Sequence, residues 1–246
     1  MLTLADIHTA RARIKDTIYC SPCAYSETLS RQADAQVFLK FDNLQMTGSF
    51  KERGALNTLL CLSQHERTRG VIAASAGNHG LAVAFHAQRL GIPATIVMPR
   101  FAPLVKVSRA RAYGAEVVLA GDDFDQALER ALHMQAERGS VFIPAFDDLR
   151  VIAGQGSLGL ELLEQIPDVE AVIVPVGGGG LIGGIGLGLK ESGCRARVIG
   201  VQTERVAGMQ YALHAGKPAL CPAQPTIADG IAVRQVGALT LPLVQQ

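Results

Sequence analysis

Lys51 is the residue of this chain best placed for covalent chemistry. It stands in the run Thr47-Gly48-Ser49-Phe50-Lys51-Glu52-Arg53-Gly54-Ala55. Ser49 followed three residues later by Glu52 is a capping-box pattern and predicts a helix starting at the serine. Lys51 then falls in the first turn, beside the partly positive helix end, where a cation is disfavoured. The same field lowers the pKa of the amine and enlarges its neutral fraction, the form that condenses with a carbonyl. The alternative is an ordinary solvated lysine on an ordinary helix, so other segments must decide.

Two loops bear on that choice. Ser75-Ala76-Gly77-Asn78-His79-Gly80 follows the apolar run Val71–Ala74 and precedes a helical pattern from Leu81 to Leu90. A serine, small residues and successive N–H groups at a helix start suit a carboxylate. Asn78 adds a side-chain amide that donates or accepts. The same residue types also make plain strand-to-helix turns. His79 and His86 share a helix face without carboxylate or cysteine companions, so neither reads as a metal ligand and no metal site is expected.

The second loop is denser: Ala171–Val176 runs into Gly177-Gly178-Gly179-Gly180-Leu181-Ile182-Gly183-Gly184, then a helical pattern to Lys190. Four consecutive glycines permit positive φ and close backbone approach, with amides aimed at a phosphate on the next helix. A purely structural tetraglycine would cost chain entropy. Gly178-x-Gly180-x-x-Gly183 also satisfies the dinucleotide fingerprint. Val201-Gln202, at the next strand, supplies no acid for a ribose, although Glu204 is close.

Together, an amine at a helix start, a carboxylate loop and a phosphate loop describe an enzyme that holds a phosphorylated aldehyde cofactor against an amino acid. Pyridoxal 5'-phosphate fits that description, whereas NAD leaves Lys51 without a role.

The elements that must position these residues are short apolar runs alternating with amphipathic stretches. Expected strands are Val37–Phe41, Val71–Ala74, Ala94–Met98, Glu116–Leu119, Val141–Ile143, Ala171–Val176 and Arg197–Gln202. Between them, Phe124, Ala127, Leu128, Ala131 and Leu132 recur at helical spacing, and Asp122 and Asp123 read as its cap and first-turn carboxylates. Repeated β-then-α order implies an α/β fold of parallel sheet with helices on both faces. Ligands then bind at the carboxyl ends of strands, where both loops lie.

Bulk properties exclude other classes. With 246 residues, 48% hydrophobic and 18% charged, the chain can bury a sizeable core. A net charge of +1 without a basic run points away from nucleic acid and acidic membrane surfaces. Glycines and charges interrupt every apolar stretch before membrane length, and Met1–Arg13 is unlike a secretory signal, so a cytoplasmic protein is expected. Five scattered cysteines argue for reduced thiols, and Cys20-Ser-Pro-Cys23 reads as two incidental cysteines in a turn.

At these residues the chain resembles the fold-type-II pyridoxal-phosphate enzymes (tryptophan synthase β-like) and, within them, the serine/threonine dehydratases, the catabolic threonine ammonia-lyases above all. The matching stretches are Thr47–Ala55, Ser75–Gly80, Phe146–Glu161, Val174–Gly184 and Thr226–Gly230, in the family's order. The resemblance implies that Lys51 carries the cofactor covalently and moves the α-proton. Phe50 would lie against the cofactor ring and Asn78 would bond its 3' oxygen. Gly177, Gly178, Gly179, Gly180 and Leu181 would wrap the phosphate. Ser75, Ala76, Gly77, His79 and Gly230 would line the substrate site, with Ser75, Gly77 and His79 lending side-chain or backbone donors to its carboxylate.

The implied reaction is loss of the α-proton and the β-hydroxyl of L-threonine or L-serine, giving 2-oxobutanoate or pyruvate and ammonia, in threonine catabolism or isoleucine biosynthesis. The resemblance also implies two parallel-sheet lobes, residues 66–147 forming the small one and 1–65 with 148–246 the large one. A homo-oligomer, dimer or tetramer, is expected of the full-length form. Racemases of this family carry a catalytic serine where Ala76 stands, which favours elimination here. Gln202 and Gly208 replace their acidic metal ligands, leaving at most a monovalent cation held by carbonyls. The family continues well past Thr226–Gly230, so the chain reads as C-terminally truncated, with apolar surface uncovered. The rival expectations are a truncated, non-catalytic paralogue, a serine racemase and an NAD-dependent dehydrogenase.

Overall fold

A computed structural model describes residues 1–246. The chain opens with α1 (Leu4–Ile14), whose capping box pairs the Thr3 hydroxyl and N–H with Asp6. Next come β1 (Cys23–Tyr25), α2 (Glu27–Ala33) and β2 (Phe38–Lys40). The middle of the chain runs α3 (Lys51–Leu60), α4 (Gln64–Arg69), β3 (Val71–Ala74), α5 (Asn78–Arg89), β4 (Ala94–Met98), α6 (Leu104–Ala112), β5 (Glu116–Leu119), α7 (Phe124–Arg138) and β6 (Val141–Phe142). The remainder is α8 (Leu149–Gln165), β7 (Ala171–Pro175), α9 (Gly180–Glu191), β8 (Arg197–Val201), α10 (Gly208–Ala215) and α11 (Thr240–Gln245).

Strands β3, β4 and β5 keep the bounds the sequence predicts, and the other four are one or two residues shorter. The strand not foreseen is β1, which pairs antiparallel with β2 and takes Cys23 out of its expected turn. No helix is long and apolar enough to cross a membrane.

The parallel sheet has the order β5-β4-β3-β6, and its period-two side chains build two cores. Val71, Ala73, Ile96 and Met98 pack under α3, α5 and α6 with Leu59, Leu81 and Val107. Ile72, Ala74 and Val97 point the other way, onto Ala127, Ala131 and Met134 of α7. The buried stripe of α7 is thus rotated from the predicted one, and Phe124 and Leu132 are exposed. The small Ala127 and Ala131 let α7 lie close on the sheet, so the stripe centres on them and on Met134. Asp123 is the cap of α7, accepting from Gln126 N–H.

The second parallel pair, β7–β8, is covered on one face. Val174 and Val176 pack on Leu158 and Leu162 of α8, on Leu181 and Ile185 of α9, and on Met209 of α10. The opposite face exposes Ile173, Ile199 and Val201.

What seats Lys51 is the crossing of α3 on α8. A Cβ on Gly154 would meet the Arg53 carbonyl and Gly54 Cα, so the two helices touch backbone to backbone. At that crossing Arg53 is fully buried, and all five of its N–H donors are used. Nε and Nη2 donate to Asp42 at 2.7 and 2.9 Å, Nη1 and Nη2 to Glu161 at 2.6 and 2.9 Å, and Nη1 to Ser157 at 3.1 Å. A buried charge with every donor met is tolerated, whereas removing one partner typically costs about 3–5 kcal/mol. Arg53, two residues after Lys51, therefore fixes the start of α3.

Candidate active site

Lys51 lies in the first turn of α3, as expected, but α3 begins at Lys51 itself rather than at Ser49, and the predicted capping box is absent. The N-cap is Phe50, already in helical conformation (φ −56°, ψ −17°), with no side-chain cap. Glu52 is drawn elsewhere: one carboxylate oxygen accepts the Thr47 N–H and the other meets His86 Nε2 at 3.0 Å. Ser49 Oγ and Thr47 Oγ1 are left buried without partners beside Lys51. The amine itself donates to the Ala145 carbonyl at 2.7 Å. Burial pushes it down to about 8, so desolvation enlarges its neutral fraction.

Phe50 is half-buried against the cluster around Val174, Val176 and Leu181, and the Lys51 amine lies 5.4 Å from its ring centroid.

The loop after β3 enters α5 through Gly77, and Asn78 is the first helical residue. Gly77 N–H donates to Ser75 Oγ at 3.1 Å. The N–H groups of Asn78, His79 and Gly80 meet no acceptor in the protein, as expected of a first helical turn. Asn78 is exposed, and Ala76 packs on the core beneath. The His79 ring turns inward, Nε2 lying 2.9 Å from the Ile143 carbonyl. Because a carbonyl only accepts, Nε2 carries the proton. Burial, reinforced by the charge of Lys51, pushes His79 down to about 3. Its imidazole is therefore committed, and of the donors expected from His79 only the backbone N–H stays free.

The loop after β7 is built from backbone alone. Gly179 adopts φ +97° and caps α9, a conformation that side chains strain to reach. A Cβ on Gly178 would fall within the Phe146 ring, and one on Gly180 would crowd the Phe146 backbone. Gly178, Gly179, Gly180 and Leu181 offer N–H groups that no protein oxygen accepts, all at the positive end of α9. Gly177 packs against Ile231 and Val233, which brings in the exposed turn Asp229–Ile231 containing Gly230. Lys106 forms an ion pair with Asp229 of that turn at 2.8 Å.

All three parts converge on the four residues that leave β6. Ile143 receives His79, Ala145 receives Lys51, and Phe146 floors the glycine loop. The sequence reading gave no role to Ala145 or Phe146, since a backbone acceptor and a packing ring carry no signature of their own. No group of three or more His, Cys, Asp and Glu side chains assembles into a metal site. The chemistry the arrangement permits is capture of a carbonyl compound by a desolvated amine, with its anionic groups held by two sets of free N–H donors.

Comparisons with known proteins agree with this geometry. The family model described as "Pyridoxal-phosphate dependent enzyme" matches residues 14–246. An L-threonine ammonia-lyase of Thermotoga maritima is 51% identical over 246 residues, covering the whole chain. The chain spans 61% of that relative's length. Threonine deaminase isoform 2 from Solanum lycopersicum superposes with a TM-score of 0.94 at 41% identity, over 98% of this chain and 70% of that one. Maize serine racemase gives 0.95 at 34% identity, over 100% and 74%.

Pyridoxal phosphate fits the residues present: a depressed lysine amine for its aldehyde and an N–H cradle without side chains for its phosphate. On the match over residues 14–246, and with this site in place, the chain belongs to the pyridoxal-phosphate-dependent enzymes of fold type II.

Proposed function

We propose that the chain carries the catalytic residues of a threonine dehydratase, a lyase converting L-threonine to 2-oxobutanoate and ammonia, with L-serine and pyruvate as a second pair. The observation that carries this reading is the convergence of Lys51, the His79 loop and the glycine loop on Ile143–Phe146. When bound, the cofactor supplies an electron sink for the charge left by α-proton loss.

Lys51 would hold the cofactor covalently and would move the α-proton of the bound substrate. Gly177 to Gly180 and Leu181 hold the phosphate through their N–H groups. Phe50 would lie against the cofactor ring, and the Asn78 amide would bond its 3' oxygen. Ser75, Gly77 and the His79 N–H bind the substrate carboxylate, and Gly230 lines the side of the substrate amine. The lobes divide at residues 66–147, with the substrate between them. The names of the Thermotoga and tomato relatives support threonine as substrate. Ala76 supports elimination over racemisation, because a methyl group relays no proton to the opposite face.

Adding pyridoxal phosphate to the 246-residue chain is expected to produce the absorbance band of a covalently attached cofactor, and threonine to release 2-oxobutanoate. Lys51→Ala should abolish the band and lower turnover by about 10²–10⁴-fold or more. A folded wild-type chain that gains no band would reject the reading, and a band without product would separate attachment from turnover.

A further inference from the structure

The glycine loop is gripped from behind by a turn sixty residues further along the chain. Thr240 is fully buried, and its hydroxyl donates to the Gly178 carbonyl at 2.6 Å while accepting the Gly237 N–H at 3.1 Å. Asp147, the residue after the Phe146 floor, holds the same turn from the other side. Its two carboxylate oxygens accept the Leu239 and Ala238 N–H groups at 2.8 and 3.0 Å. Gly237 is pressed so closely on Asp147 that no Cβ could stand there, and a Cβ on Gly179 would meet both Met209 and Thr240.

A trans peptide is planar, so its C=O and N–H point in opposite directions. Pulling the Gly178 carbonyl toward Thr240 therefore turns the Gly179 N–H the other way, where it meets no protein acceptor. The other donor to this carbonyl is the Gly237 N–H at a long 3.5 Å, and the glycines have no side chains to resist rotation. Preorganised donors bind an anion without reordering when it arrives.

We propose that Thr240 and Asp147 are positioning residues of the phosphate cradle: they fix the Gly178–Gly179 peptide so that its N–H faces the cofactor phosphate. This rests on the cofactor reading given above. Thr240 touches neither cofactor nor substrate and acts only through the loop.

The test titrates the full chain with pyridoxal phosphate and, separately, with pyridoxal, which lacks the phosphate, following attachment by absorbance. Thr240→Val removes the hydroxyl at nearly constant size and should weaken pyridoxal phosphate binding about ten- to hundred-fold. Pyridoxal binding should change by less than about twofold, since its anchor at Lys51 is untouched. Thr240→Ser, which restores the hydroxyl, should return the wild-type ratio. Asp147→Asn, with one acceptor lost, should fall between and carries the comparison if Thr240→Val does not fold. Equal losses for both ligands, or no loss in Thr240→Val, would overturn the proposal. A wild-type chain that attaches both equally well would also overturn it, while leaving Lys51 as anchor intact; one that attaches neither removes the cofactor reading itself.

Discussion

The loop after β3 and the loop after β7 both carry the chain from a parallel strand into a helix, and both leave N–H groups without protein acceptors. They are built from opposite materials. The first keeps side chains: Ser75 braces Gly77, His79 is tied to Ile143, and Asn78 stands free. The second has none over Gly177 to Gly180, and its shape there is imposed from outside by Phe146, Met209 and Thr240. The first can thus discriminate by side-chain chemistry, as the proposed substrate site must. The second can approach a phosphate closely but depends on neighbours for its order.

The sharpest way to break this comparison is to place a methyl group in each loop. At Gly178 a Cβ enters the Phe146 ring, so Gly178→Ala should displace the loop. Overpacking of this kind costs about 1–3 kcal/mol, and pyridoxal phosphate affinity should fall roughly ten- to hundred-fold. At Gly77 a Cβ meets nothing within 4 Å. Gly77→Ala should keep both its melting temperature and its cofactor, and only KM for threonine should rise. Equal effects in thermal melts and cofactor titrations would dissolve the distinction between the loops.

That distinction was half visible in the residues. Strands β3 and β4 were legible to the residue, because both faces of their sheet are covered and nearly every side chain is buried, whereas β5 keeps its bounds at the sheet edge with Glu116 and Leu119 exposed. The glycine loop was legible because such a run has few uses. The capping box at Ser49 misled, since a four-residue pattern cannot show that Glu52 has better donors in Thr47 and His86. The grip of Thr240 on Gly178 was invisible for a different reason. It joins residues 62 apart, and threonine near a chain end has no pattern of its own.

A second way to sharpen the contrast lies with the amine bonded to the segment both loops share. Burial sets the Lys51 amine at about 8, against 10.5 for an unburied lysine. The rate of pyridoxal phosphate attachment to the apo chain should then rise about tenfold per pH unit below that value and level off above it. Stopped-flow absorbance across pH 6–10 reads this directly. A rate still climbing tenfold per unit from pH 9 to 10 would mean that the amine is solvated, and that neither loop walls it in.

The mildest perturbation asks whether His79 is an anchor of the polar loop or a ligand of the substrate. As an anchor it must stay neutral, and burial holds it at about 3 while the unfolded chain titrates near the ordinary 6.5. As pH falls through that window the unfolded state takes up a proton that the folded state refuses. The stability present above 6.5 is therefore lost on going down toward 3, at about 1.4 kcal/mol per pH unit from this group. His79→Gln keeps an amide donor for the Ile143 carbonyl but cannot titrate. Near pH 8 it should differ from wild type by no more than about 1–2 kcal/mol in urea denaturation, with the absorbance band retained. Between pH 6 and 4 its stability should decline less steeply than that of the wild type, so the two curves converge. Parallel curves, with a large rise in KM, would instead place the imidazole on the substrate. Side chains would then face the ligand throughout the first loop, and the inward turn of His79 would lose its structural meaning.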